Sequence, residues 1–188
     1  MFFETLSVIC SIVICVVECA KAVFSILKEM GIIETNAQSA DDLGAKVLAA
    51  EEQGITLETS KNFEDYKNQI NAIEVPNPEK YSPEDKARKA IEYSIEAINN
   101  KYGVNLSPDA AGNLANHIAY FNNGKLDYVM KNDSNLNNSL VEYGNYLDSK
   151  VVGQEADNIR EKLIDIEKAV NPNISRQEAI DNIYANKS

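Results

Sequence analysis

Histidine occurs once in the 188 residues and cysteine three times, at Cys10, Cys15 and Cys19. A single histidine leaves no His/Glu spacing for zinc, and it cannot supply the several histidines that helical carboxylate metal centres recruit from facing helices. An odd number of cysteines on one short stretch excludes an internal disulfide framework, because side chains on a helix splay apart too far for an easy bridge. The three are expected to act as small buried hydrophobes in a reducing compartment. Acylation of one of them is the membrane-linked alternative. No glycine-rich phosphate loop and no nucleophile elbow occurs, and the cysteines are far in sequence from any base. Positive charge is also scarce, with 18 Lys and Arg against 29 Asp and Glu and a net charge of −11. The acid is spread along the chain, which argues for a soluble acidic surface and against binding nucleic acid through its phosphates, with docking to a basic partner as the lesser reading.

What the chain does have is concentrated at its start. Residues 1–33 open with a dozen nearly continuous apolar residues and continue more weakly. Wound as one helix, they would extend roughly 45 Å. Glu4, Ser7, Ser11, Glu18, Lys21, Ser25, Lys28 and Glu29 then share about 120° of arc. The opposite face carries Phe2, Leu6, Ile9, Val13, Val16, Ala20, Phe24 and Leu27, the residues expected to meet a protein partner, a second copy or a membrane. Gly31 followed by Ile32 reads as a glycine stop with a hydrophobic residue folding back.

Full membrane crossing fits poorly, since the uncharged core from Thr5 to Val17 spans only about 20 Å against roughly 30 Å of hydrocarbon. A cleaved signal fits less well, because the stretch before the apolar core holds Glu4 and no Lys or Arg. The expected location is cytoplasmic, with membrane association through residues 1–33 as the competing expectation.

Further along, Ser39 with Asp42 predicts a helix start and Gly54 a stop. Ser60 opens a predicted helix carrying Phe63, Tyr66, Ile70 and Ile73. Val75-Pro76-Asn77-Pro78 ends it, because each proline disfavours a helical residue before it. Ser82-Pro83 and Ser107-Pro108 start two more helices, the second predicted to run to Gly124 and to contain His117. His117 beside Ile118 and Phe121 is expected to be a core or half-buried residue with one hydrogen bond. The group Leu126, Tyr128, Val129 and Met130 has no settled structure at this level.

Asp133, Asn135 and Asn137 alternate like calcium ligands, but Asn138 stands where the loop needs glycine and Gly144 where it needs glutamate. The run reads as a polar turn before a helix with Leu140, Tyr143 and Leu147. Ile159, Leu163, Ile166 and Val170 mark the next helix, on which Asp157, Glu161 and Asp165 form a solvated acidic face. Ser175 with Glu178 is a capping box for the last.

The pattern predicts an all-α bundle of about eight helices with a long, strongly hydrophobic N-terminal helix. Its expected divisions are 1–33 as the docking element, 34–78 as short helices with a proline-containing linker, and 79–188 as an acidic helical bundle. The expected function is non-enzymatic: a helical interaction or assembly protein with no catalytic, cofactor-binding or metal-binding residues. An acidic inhibitor-type module for a basic partner is the first alternative, and a metal-dependent enzyme built on helical carboxylates the second.

Overall fold

The computed structural model describes residues 13–187. Among them are nine α-helices, one short 3-10 turn and no strand, in agreement with the all-α expectation. The chain divides into two compact units, the first ending at Asn105 and the second beginning at Leu106.

The first unit contains α1 (Val13–Glu29), α2 (Ala40–Glu52), α3 (Phe63–Ala72) and α4 (Pro83–Tyr102). Its spine is α4, against which the other three pack. That helix is started by the Ser82 hydroxyl, which accepts from the Asp85 N–H, and ended by Gly103 in the left-handed region. Ala87, Ala90, Ile91, Ser94, Ile95, Ala97 and Ile98 are all buried along it. The small residues among them let α2 come very close. A methyl group added at Gly44 would lie 1.9 Å from the Lys86 carbonyl oxygen, so only glycine fits at that crossing. Ser39 caps α2 through the Asp42 N–H at 3.1 Å, as its spacing predicts.

The second unit contains α5 (Pro108–Asn116), α6 (Lys125–Asn132), α7 (Leu136–Leu147), α8 (Gly153–Val170) and α9 (Arg176–Tyr184). Here α5 packs on α7, while α8 receives α6, α7 and α9. The Ser175 capping box is present in full.

Four expectations change. The described part of the N-terminal helix covers 17 residues from Val13, and the 45 Å hydrophobic helix expected over 1–33 has no support beyond it. None of the helices among the described residues is long and apolar enough to cross a membrane. The C-terminal end of α1 does follow the expected stop: the Gly31 N–H donates to Lys28 at 3.1 Å and the Ile32 N–H to Leu27 at 2.8 Å.

Next, α3 opens at Asn62 instead of Ser60, because the Asn62 side chain accepts from the Asp65 N–H while the Ser60 hydroxyl is engaged with Thr56 O. The helix predicted from Ser107 to Gly124 stops at Asn116. Turns over 117–124 carry Ile118, Tyr120 and Phe121 into the core together, where one straight helix would spread them around its axis. The released Leu126–Met130 group lies in α6, a helix beyond the eight expected. Finally, the unit boundary lies at 105/106 and not at Pro76–Pro78, since α4 beyond those prolines is the element on which α1 and α2 are packed.

Candidate functional site

Helix α1 carries the described part of the expected docking face. Val16, Ala20, Phe24 and Leu27 are all buried, together with Val23, in contact with the rest of their own unit. The chain itself therefore covers this part of the apolar arc. Val13 opens the helix, and Phe2, Leu6 and Ile9 lie outside the described residues.

The buried arc is narrower than the apolar arc. At about 100° per residue the buried positions occupy roughly 100° of the circumference. Beside them runs a second apolar strip, with Cys15 exposed and Cys19, Ala22, Ile26 and Met30 half-buried. Cys15 thus departs from the expectation of a buried thiol. Glu18, Lys21, Ser25, Lys28 and Glu29 form the exposed polar stripe, with Lys21 paired to Glu18 at 2.6 Å. The Lys28 ammonium donates to the Ala37 carbonyl at 2.6 Å and lies 5.1 Å from the Phe24 ring centre, tying the end of α1 to the segment before α2. A shallow hollow of about 460 Å³ opens between this edge of α1 and residues 38–40.

Charged groups gather at two other places. On α4, Lys89 meets both Glu51 of α2 and, at 3.0 Å, Glu92. Burial pushes the Glu92 carboxyl up to about 7, with the Lys89 ammonium opposing the change and Glu51 and Glu96 adding to it. The Tyr66 ring is buried beside the same glutamates, and burial followed by their charge holds its hydroxyl protonated.

In the second unit, Glu167 is 2 % exposed and accepts from Lys125 at 3.0 Å and from Asn182 at 3.3 Å. The Lys125 ammonium also sits 4.7 Å from the Tyr120 ring centre. Sequence reasoning passed over this pair. The signal was there in the spacing, since Glu167 stands four residues after Leu163 on the apolar side of α8.

His117 caps the end of α5 and is buried, as expected for a core residue. Its Nε2 lies 3.0 Å from Asp148 Oδ1 without an aligned hydrogen bond. Burial lowers its pKa below 6.5, and the nearby Asp148 charge recovers only part of the shift. The acidic face of α8 is solvated, with Asp157 paired to Arg160 at 2.8 Å and Glu161 held by both terminal nitrogens of Arg176. Among the described residues no three His, Cys, Asp or Glu side chains converge in a metal-binding arrangement.

No family profile matches the chain, and no similar curated protein or solved structure was found. Function has to be argued from these surfaces alone.

Proposed function

We propose that the protein is a non-enzymatic helical interaction or assembly protein that makes a protein contact through its N-terminal segment. The reading combines the apolar sequence of residues 1–12 with the open strip on α1. The supporting observation is the strip of Cys15, Cys19, Ala22, Ile26 and Met30, apolar yet left partly uncovered by the unit that buries its neighbours. A helix flanked by such a strip gains free energy when a second apolar surface covers it, about 25 cal/mol for each Å² removed from water. The polar stripe from Glu18 to Glu29 restricts that cover to one side and favours a protein over lipid all round. Val16, Ala20, Phe24 and Leu27 serve the internal core in this reading, and Phe2, Leu6 and Ile9 remain with the partner.

The test places a charge in the strip by Ile26→Asp in the full chain, with mass measured in solution and flotation measured with lipid vesicles. The expected result is an assembly that reverts to the monomer mass on substitution, with an unchanged melting temperature and no flotation. A full chain that is already monomeric, or an assembly indifferent to the change, would overturn the reading. Flotation abolished by Ile26→Asp would replace it with a membrane contact.

The alternative of an acidic module for a basic partner draws on the net charge of −11 and on solvated carboxylates such as Asp157 and Asp165. Binding of that kind weakens steeply with salt, whereas an apolar contact through α1 does not.

A further inference from the structure

A cleft of about 250 Å³ opens in the second unit, walled by Tyr128 and Val129 of α6, Asp133 of the following turn, Tyr143 of α7, and Asp165 and Ile166 of α8. Val129 and Ile166 are buried, and Tyr143 is 4 % exposed. The Asp133 carboxylate is fixed in place: one oxygen accepts from the Asn135 N–H at 2.9 Å and the other from the Tyr143 hydroxyl at 3.4 Å. The second bond is long, so that oxygen keeps acceptor capacity. Burial and, after it, the Asp133 charge push the Tyr143 hydroxyl up to about 12, which keeps the phenol protonated. Asp165 is exposed; the Arg176 guanidinium, held by Glu161, acts on it electrostatically, and among the described residues no hydrogen bond or close ion pair engages its carboxylate. Lys162, the one cation lining the cleft among the described residues, is drawn away to Glu142 at 2.7 Å.

The cleft therefore presents two carboxylates above apolar and aromatic walls. An anion would be repelled, and a purely apolar occupant would strand the half-desolvated Asp133. A protonated nitrogen on a carbon stem satisfies both parts, because N–H groups donate to the carboxylates while the tyrosine rings attract the positive charge. The volume is below the roughly 300–1,000 Å³ of most small-molecule pockets, so it suits one slim group. We propose that this cleft binds an ammonium or guanidinium group, carried either by a small organic amine or by a Lys or Arg side chain of a basic partner. The proposal stands apart from the α1 contact and survives its failure.

Spermidine and a short arginine-containing peptide, each titrated into the full chain and followed by amide NMR, provide the test. Saturable shifts are expected at Asn132–Ser134 and around Asp165, with magnesium producing none that saturate there. Asp165→Asn should weaken binding about tenfold, the scale of one charge-assisted hydrogen bond, and Tyr143→Phe about threefold. Asp157→Asn, outside the cleft on the same helix, should change nothing. Tighter binding of the peptide assigns the site to a partner's side chain, and tighter binding of spermidine to a small amine. Shifts spread over the acidic surface and insensitive to Asp165→Asn, or no saturation at all, would overturn the proposal. Since Asp165 is exposed, its substitution leaves the fold intact and the result readable.

Discussion

In the first unit two helices meet where Gly44 faces the backbone of Lys86, and in the second where Gly144 faces the side chain of Asn113. The first contact is rigid, because a backbone carbonyl can move only with its helix. The second has some give, since the terminal atoms of Asn113 can rotate away although its Cβ cannot. A parallel difference runs through the cores. Around α4 the interior holds mainly isoleucine and alanine with Tyr66 and Tyr93, and the buried Lys86 pairs at 2.8 Å with Asp41, whose carboxylate is in solvent. In the second unit both members of the pair are inside, the Glu167 carboxylate as well as the Lys125 ammonium. Apolar packing tolerates losing one contact gradually, whereas a buried ion pair fails as soon as one member is removed.

Breaking that pair is the largest effect expected. Glu167→Ala strands the Lys125 ammonium and should cost about 3–5 kcal/mol, read as loss of hydrogen-exchange protection in α6 and α8. The double change Lys125→Met with Glu167→Leu should recover most of it, since an apolar pair of similar volume removes both charges together. Failure of the double variant to recover would show that the pair also sets the local packing.

Gly44→Ala comes next, at about 3 kcal/mol, because its methyl has to displace a helix backbone. Gly144→Ala should cost about 1–2 kcal/mol, as Asn113 yields in part. Equal costs in chemical denaturation would remove the proposed contrast between backbone and side-chain contacts.

The two units should also respond to pH with opposite sign. The folded Glu92 carboxyl titrates near 7 against an ordinary 4.5, so the folded state holds the extra proton. Its contribution to stability is complete below 4.5 and is lost as pH rises through about 7, by up to about 3 kcal/mol. Glu92→Gln should abolish that slope. His117 has a folded pKa below its ordinary 6.5. Its contribution is complete above 6.5 and is lost as pH falls through the lower folded value. Amide exchange at α2–α4 and at α5–α7, followed across pH, reads the two slopes separately, and slopes of one sign would contradict the assignment.

The smallest effect is shared by both units: Ser82→Ala and Ser175→Ala each remove one cap and should cost about 1 kcal/mol in thermal unfolding.

Those caps were the most legible part of the chain. Ser39, Ser82, Ser107 and Ser175 each accept from the N–H three positions ahead, a bond made within one turn and independent of what packs outside. Where two capping residues stood close together, at Ser60 and Asn62, the choice depended on a loop contact with Thr56 that the spacing does not reveal. His117 was recognised as a core residue, yet the helix end beside it was not, because burying Tyr120 and Phe121 together is a demand of the surrounding unit. The cleft at Asp133 had no sequence signature at all, being assembled from α6, α7, α8 and a turn.

For the strip on α1, periodicity identified an apolar arc wider than one neighbour needs, and the structure divided that arc into a buried part and an open one. The sequence by itself determined the helical class and most helix ends, since hydrogen bonds within a turn and the 3.6-residue period are local. Only the tertiary structure decided which faces are covered, where the two units part, and that Glu167 is inside while Asp165, two residues away, is not. Those outcomes depend on segments far apart in the chain, and no local pattern encodes their meeting.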